Sequence, residues 1–271
     1  MIERDEQTVL LQQAREGDVE ALEVLLRQVQ PQLYRFSMKM CRHTQDAEDV
    51  LQDSMLTLAR SFKDFKGMSS LSTWLFTIVR SFCIKKRRKS KFAPSHESSL
   101  QEMVLSGHTE PESSLPSPEK LVESAEVWRE VQAAIQRIEP AYREILVLRD
   151  IEGLSAKEVA EIVELSVGAV KSRLHRARSE LRSHLAPSAY EPKPGCPDIR
   201  KVFSRHLEGE LSPEICSSME AHVSQCDECA KECNGLRQAL SLCTASPCDV
   251  PKSVQVKVQL ALRQTLSDLR K

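Results

Sequence analysis

A histidine and two cysteines stand four and three residues apart in the segment HVSQCDEC, residues 222–229. On one helix, His222, Cys226 and Cys229 project from the same side, because residues three and four apart are neighbours on a helix surface. Cys196 lies far enough upstream for an intervening helix and turn to bring it back as a fourth ligand. Cys3His is a closed tetrahedral ligand set for zinc. The alternative is a small helical core that merely buries apolar cysteines.

Further cysteines exceed what one structural zinc ion requires, and they are additional candidate ligands: Cys216, Cys233, Cys243 and Cys248. Surplus thiolates suit soft metals such as Cu(I) or Cd(II), or a redox pair. The N-terminal segment MIERDEQTVL has no signal-peptide core, and no apolar run approaches the roughly 18 residues of a membrane span. We therefore expect a cytoplasmic protein without membrane contact, whose thiols serve metal or redox sensing rather than structural disulfides.

The segment SAKEVAEIVELSVGAVKSRLHRAR, residues 155–178, indicates a different chemistry. Ser155 can cap a helix whose Glu158 stands three residues later, and after a turn a second helix directs Val170 and Leu174 inward. Its outer face then carries Lys171, Arg173, Arg176 and Arg178. A helix-turn-helix places such a cationic helix in the major groove, where Arg and Lys neutralise phosphates or bond guanine. The alternative is that these charges form an ordinary solvated helix face, and the helix-turn-helix pattern around them argues against it.

Composition and periodicity predict an all-α fold. The chain has eight glycines and twelve Phe, Tyr and Trp residues among 271, which favours helices over sheets. Apolar residues recur three and four apart from Val19 to Arg88 and again from Leu121 to Ile138. Two stretches rich in Ser and Pro interrupt this pattern and read as linkers. The expected order is a helical domain 1–91, a flexible acidic linker 92–118, a helix-turn-helix domain 119–186, a linker 187–195 and a small cysteine-rich helical domain 196–271.

Formal charge is −1 overall, so the distribution of charge must decide the partners. The run KKRRKSK at residues 85–91 is cationic at six of seven positions.

The segment IEPAYREILVLRDIEGLSAKEVAEIVELSVGAVKSRLHRARSELRSHL resembles region 4 of extracytoplasmic-function (ECF) sigma factors, which reads the −35 promoter element. The family's usual Gly-Thr-Val before Lys-Ser-Arg is Gly168, Ala169 and Val170 here, so no threonine hydroxyl is available to contact a phosphate at 169. The resemblance implies DNA contacts by Lys171, Ser172, Arg173, Arg176 and Arg178.

The segments DAEDVLQDSMLTLARSF and FKGMSSLSTWLFTIVRSFCIKKRRK resemble region 2 of the same family. In that region an acidic helix docks on the RNA polymerase core, which implies roles for Asp46, Glu48, Asp49, Gln52 and Asp53. A loop and helix capture the separating −10 strand, which fits the use of aromatic faces and a positive groove to hold unstacked bases. Trp74, on an apolar helical stripe, is expected in the core instead. The implied DNA contacts are Lys63, Phe65, Lys85, Lys86, Arg87 and Arg88. No catalytic residues are required, so the chain is not expected to be an enzyme.

The segment CPDIRKVFSRHLEGELSPEICSSMEAHVSQCDECAKECNGLRQAL resembles zinc-binding anti-sigma domains, which implies that Cys196, His222, Cys226 and Cys229 hold the metal. The whole chain resembles the CorE type of ECF sigma factor, a metal-responsive group that senses copper, cadmium or zinc. This implies promoter-specific transcription controlled by a metal ion on the protein's own C-terminal domain, with that domain contacting regions 2 or 4. Two alternatives stay open: a thiol redox switch on the same sigma factor, and a DNA-binding metalloregulator that does not bind polymerase.

Overall fold

The structure is a computed structural model that describes residues 4–92, 118–185, 190, 192–245 and 249–269. Every regular element in these ranges is helical, which confirms the predicted all-α class. The predicted acidic linker, residues 92–118, lies outside these ranges except for its first and last residues, and Cys248 also lies outside them. The helices are α1 (Arg4–Arg15), α2 (Val19–Met40), α3 (Thr44–Ser61), α4 (Leu71–Phe92), α5 (Pro118–Arg137), α6 (Pro140–Leu146), α7 (Ala156–Val163), α8 (Val167–Leu185), α9 (Ile199–Leu207), α10 (Pro213–Gln225), α11 (Asp227–Thr244) and α12 (Lys252–Leu269).

Contacts divide the chain into two compact units, residues 1–113 with 247–271 and residues 114–246. In the first unit, α2 and α3 pair along their apolar stripes and α4 packs on both. Asp18 caps α2 by accepting the Glu20 and Ala21 N–H groups at 2.9 and 3.1 Å. Phe36 and Phe76 meet edge to face in the core, with ring centroids 5.3 Å apart.

The last helix, α12, also belongs to the first unit. Its stripe of Val254, Val258, Leu262 and Leu266 is buried where α12 packs along α3 and α2. The sequence prediction placed residues 196–271 in one domain. The structure separates α12 from α9–α11 because this apolar stripe is covered by the helices of the first unit.

The second unit holds α5–α11. A π-helical turn, Val147–Ile151, continues α6 and was not predicted. The capping box is confirmed: the Ser155 N–H donates to Glu158 Oε2 at 3.0 Å, and the Glu158 N–H donates to Ser155 Oγ at 3.2 Å. Val170 and Leu174 of α8 are fully buried, as their spacing predicted.

Candidate metal centre and nucleic-acid interface

Four predicted ligands converge at the junction of α10 and α11. The ligand atoms of Cys196, His222, Cys226 and Cys229 all lie within 4.8 Å of one another. Cys196 Sγ is 3.8 Å from Cys226 Sγ, and His222 Nε2 is 3.2 Å from Cys229 Sγ. Metal–ligand bonds of about 2.0–2.3 Å place tetrahedral ligand atoms about 3.3–3.8 Å apart. The four side chains therefore fit a closed tetrahedral site for a zinc-sized ion.

The expectation that His222, Cys226 and Cys229 share one helix is wrong. Cys226 has extended backbone angles (φ −123°, ψ 100°), so α10 ends before it and α11 begins after it. Its N–H still donates to the His222 carbonyl at 2.9 Å, which holds the last turn of α10. The break aims ligands from two helices at one point, and Cys196 enters from the segment before α9.

The cluster is embedded in an apolar core. Cys229 is fully buried beside Phe203 and Leu236, and this burial raises the pKa of its thiol to about 11. A hydrogen bond from the Cys229 backbone N–H lowers the pKa of Cys226. Tyr190 Oη lies 3.3 Å from Cys229 Sγ. A buried thiolate needs a compensating cation, and a coordinated metal ion supplies that charge directly.

Three of the additional candidate ligands, Cys216, Cys233 and Cys243, lie in the described ranges, and none of them belongs to this group of ligand atoms. Cys233 and Cys243 are buried in α11, where Cys233 packs with the apolar core. Cys216 is half-buried on α10, with its Sγ 3.7 Å from His206 Nδ1. Within the described ranges, the structure gathers only Cys196, His222, Cys226 and Cys229 into one group of potential metal ligands.

The cationic helix α8 does not present all its predicted DNA contacts outward. Arg178 is 3% exposed, so the expectation that it lies on the outer face is wrong. Its guanidinium donates to both Asp150 carboxylate oxygens, at 2.6 and 2.8 Å, and to Glu208 Oε1 at 2.9 Å. Two carboxylates compensate its desolvation, which periodicity could not reveal.

The remaining predicted contacts on α8 are more accessible. The Lys171 ammonium pairs with Glu210. Arg176 donates to Tyr142 Oη at 2.9 Å, and Ser172 and Arg173 line a shallow cavity on the same side. The second helix of the motif therefore has one stripe held by acids and one open to a partner.

In the first unit, the predicted polymerase contacts of α3 lie beside the predicted DNA contacts of α4. Lys86 Nζ lies 3.2 Å from Asp46 and 2.7 Å from Asp49, and its hydrogen bond lowers the pKa of Asp49. A cavity of about 540 Å³ beside this pair is lined by predicted polymerase contacts and predicted DNA contacts alike, among them Gln52, Asp53, Lys85 and Arg88. Glu48 is half-buried on α3, and Arg87 is exposed on α4.

Phe65 is the second predicted contact that the structure buries. It is 6% exposed, and its ring centroid lies 5.1 Å from that of Trp74 and 6.2 Å from that of Phe62. Three neighbouring aromatic rings exclude water better together than one ring displayed in a loop. Lys63 is exposed beside them.

Sequence reasoning missed three glutamates that contact α8: Glu208, Glu210 and Glu232. The first two flank Gly209, whose φ of +67° forms the turn between α9 and α10. The sequence does contain a signal for this contact: a glycine flanked by two glutamates follows the cationic helix in the chain.

Comparison with known proteins gives matches over most of the chain. The family described as "Sigma-70 region 2" matches residues 25–92, "Sigma-70, region 4" matches 128–181, and "Putative zinc-finger" matches 196–230. The ECF RNA polymerase sigma factor SigM of Mycobacterium tuberculosis is 31% identical, over 61% of this chain and 77% of that protein.

Two further relatives have slightly lower identity. SigW of Bacillus subtilis is 28% identical over 65% of this chain and 94% of that protein. SigE of Mycolicibacterium smegmatis is 29% identical over 62% of each chain. Both are named ECF RNA polymerase sigma factors. In the part of the chain that the structure describes, no helix has the length and apolar character to cross a membrane.

Proposed function

The chain belongs to the ECF family of RNA polymerase sigma factors, and we propose that it is a member whose transcription is controlled by metal binding to its own C-terminal domain. Members of this family are not enzymes themselves, and they initiate transcription together with RNA polymerase and promoter DNA. The observation that carries metal control is the position of Cys229. It lies on α11, the helix that also packs against α8, the second helix of the helix-turn-helix.

Close packing connects the metal cluster to α8. Glu232 follows Cys229 by three residues, is 4% exposed, and pairs with Arg182 of α8 at 3.3 Å and Arg200 at 2.7 Å. At Gly235, an added Cβ would lie 2.5 Å from the Arg182 guanidinium, so a larger residue there would displace the end of this arginine side chain. A change in the first turn of α11 would therefore reach α8 through this ion pair and the packing of the two helices.

The available binding energy is sufficient for a switch. Moving an equilibrium between two forms from 1:99 to 99:1 requires a preference of about 5.5 kcal/mol for one form. Structural zinc sites bind with apparent energies of about 10–16 kcal/mol, so a partial preference is enough. The Cys3His set favours zinc, and its three thiolates also accept Cu(I) or Cd(II).

Residue roles follow the matched regions. Lys171, Ser172, Arg173 and Arg176 would contact the −35 element, with Arg178 becoming accessible only if its two carboxylates release it. Polymerase contacts are proposed for Asp46, Glu48, Asp49, Gln52 and Asp53. Contacts to the −10 strand are proposed for Lys63, Lys85, Lys86, Arg87 and Arg88.

Run-off transcription with core polymerase tests the proposal. The template is the DNA upstream of the gene for this protein, without metal and with Cu(I), Cu(II), Zn(II) or Cd(II) in turn. We expect transcription to depend on one metal, and Cys226→Ser to abolish that dependence. Cys216→Ser is the matched control, since this thiol lies outside the cluster and its loss should change nothing. Equal transcription under every condition would overturn metal control.

Two alternatives give different results. A redox switch predicts a response to oxidant that persists after metal chelation. A metalloregulator independent of polymerase predicts that replacing Asp49 and Gln52 by alanine leaves transcription unchanged, whereas a sigma factor loses polymerase binding.

A further inference from the structure

We propose that Glu208, Glu210 and Glu232 form an acidic docking surface that occupies the cations of α8 in place of DNA phosphates. Promoter DNA and the C-terminal domain would then compete for one face of the helix. This inference rests on the proposed function only in taking α8 as the DNA-reading helix. It names the contact by which the C-terminal domain regulates the protein, and that contact does not require metal to be bound.

Glu208 is the central member of this acidic surface. Its side chain is 4% exposed and lies between two guanidinium groups, 3.1 Å from Arg149 Nε and 2.9 Å from Arg178 Nη2. Arg178 also donates to the carbonyl and hydroxyl oxygens of Ser204, at 3.1 and 2.9 Å. The last turn of α9 and the residue after it thus supply three acceptors to a buried cation that Asp150 also holds.

The other two acids extend the contact along α8. Glu210 pairs with Lys171, and Glu232 lies 3.3 Å from Arg182. Positions 171, 178 and 182 are seven and four residues apart, so they form one stripe of the helix. The acidic surface covers this stripe, while Arg173 and Arg176 lie outside it.

The turn is built to present its two carboxylates. Gly209 adopts φ +67°, its N–H donates to the His206 carbonyl at 3.0 Å, and the Glu210 N–H donates to the Arg205 carbonyl at 3.0 Å. Glu208 and Glu210 therefore reach the same stripe from either side of the glycine.

The chemistry of the contact is that of a protein–phosphate interface. DNA affinity depends on how many phosphates the Lys and Arg side chains neutralise, and each neutralised phosphate contributes about 0.9 to the slope of log K against log salt. Each cation held by a carboxylate of the docking surface is removed from that count. Lys171 and Glu210 are about 30% exposed and can exchange readily, whereas Arg178 needs the domain to withdraw.

Binding of a fluorescently labelled DNA duplex to the full-length protein tests this competition. Because the phosphate contribution does not depend on sequence, an arbitrary duplex serves as the probe. Glu208→Gln/Glu210→Gln is compared with Glu214→Gln/Glu220→Gln, which makes the same change in net charge on the exposed surface of α10.

We expect the first variant to bind at least about fivefold more tightly than the control, the lower end of the usual range for coupled sites. Its salt slope should steepen by about 1 to 2, because one or two more phosphates are neutralised. Equal affinity and slope in the two variants would overturn the proposal.

Glu210→Gln alone guards against misfolding of the double variant, since Glu210 is only partly buried. It should steepen the slope by about 0.9 through Lys171, and an unchanged slope counts against the proposal. The proposed function is separable: if these variants match the control while wild-type transcription still responds to metal, competition fails and metal control stands. If the variants bind DNA more tightly but wild-type transcription does not respond to metal, competition stands and metal control fails.

Discussion

Arg178→Met should destabilise the second unit far more than an ordinary charge deletion on α8. The Arg178 side chain is 4% exposed and is held by Asp150 and Glu208, whose side chains are 10% and 4% exposed. Methionine fills a similar volume but leaves these two buried carboxylates without the cation between them. Removing one partner of a buried ion pair costs about 3–5 kcal/mol, and Glu208 retains Arg149, so we expect a loss of about 3 kcal/mol.

The assay is urea unfolding followed by tryptophan fluorescence. The chain has two tryptophans, Trp74 in the first unit and Trp128 in α5 of the second, so a Trp74→Phe background reports the second unit alone. Arg173→Met is the matched control on the same helix. It should change the free energy of unfolding by no more than about 0.5 kcal/mol, as surface substitutions usually do.

A double-mutant cycle identifies the cause. Once Arg178 is methionine, Glu208→Gln removes one of two uncompensated charges, so the double variant should lose less than the sum of the single losses. The expected coupling is about 1–3 kcal/mol. Additivity within about 0.5 kcal/mol, or equal effects of Arg178→Met and Arg173→Met, would refute the ion-pair reasoning.

Three further predictions concern other charges and thiols. Glu232→Gln should lower the unfolding free energy of the second unit by about 3 kcal/mol in the same assay, because it leaves two guanidinium groups without their buried carboxylate. Glu228→Gln is its control, since the Glu228 side chain is 42% exposed in the first turn of α11. In the metal-free protein, burial raises the Cys229 pKa from 9.0 to about 11. The neutral thiol is therefore favoured on folding, and urea titrations should show stability intact below pH 9 and declining between pH 9 and 11; a rise over that interval would contradict this. Lys86→Met should raise the Asp49 pKa toward its ordinary value, measured by NMR titration, while changing stability by no more than about 1 kcal/mol because the pair is partly exposed; an unchanged Asp49 pKa would show that the ion pair does not form in solution.

Local features of this protein were determined by its sequence. The Ser155–Glu158 capping box needs only residues three apart, and the burial of Val170 and Leu174 follows from helical periodicity. The four-residue Cys/His cluster was predicted from ligand type and spacing, although the helix break at Cys226 was not. Extended angles at one residue depend on where the chain must turn to bring Cys196 close, which periodicity does not encode.

The tertiary structure alone decided which charges and rings face a partner. Lys171 and Arg178 read as exposed cations on α8, but carboxylates 28 to 39 residues away in the chain occupy them. The same holds for Phe65, which packs against Trp74 nine residues later, and for the stripe of α12, which is buried on α2 and α3. Periodicity specifies which face of a helix is apolar or charged. The element that covers this face is chosen by contacts between distant segments, and those exist only once the chain has folded.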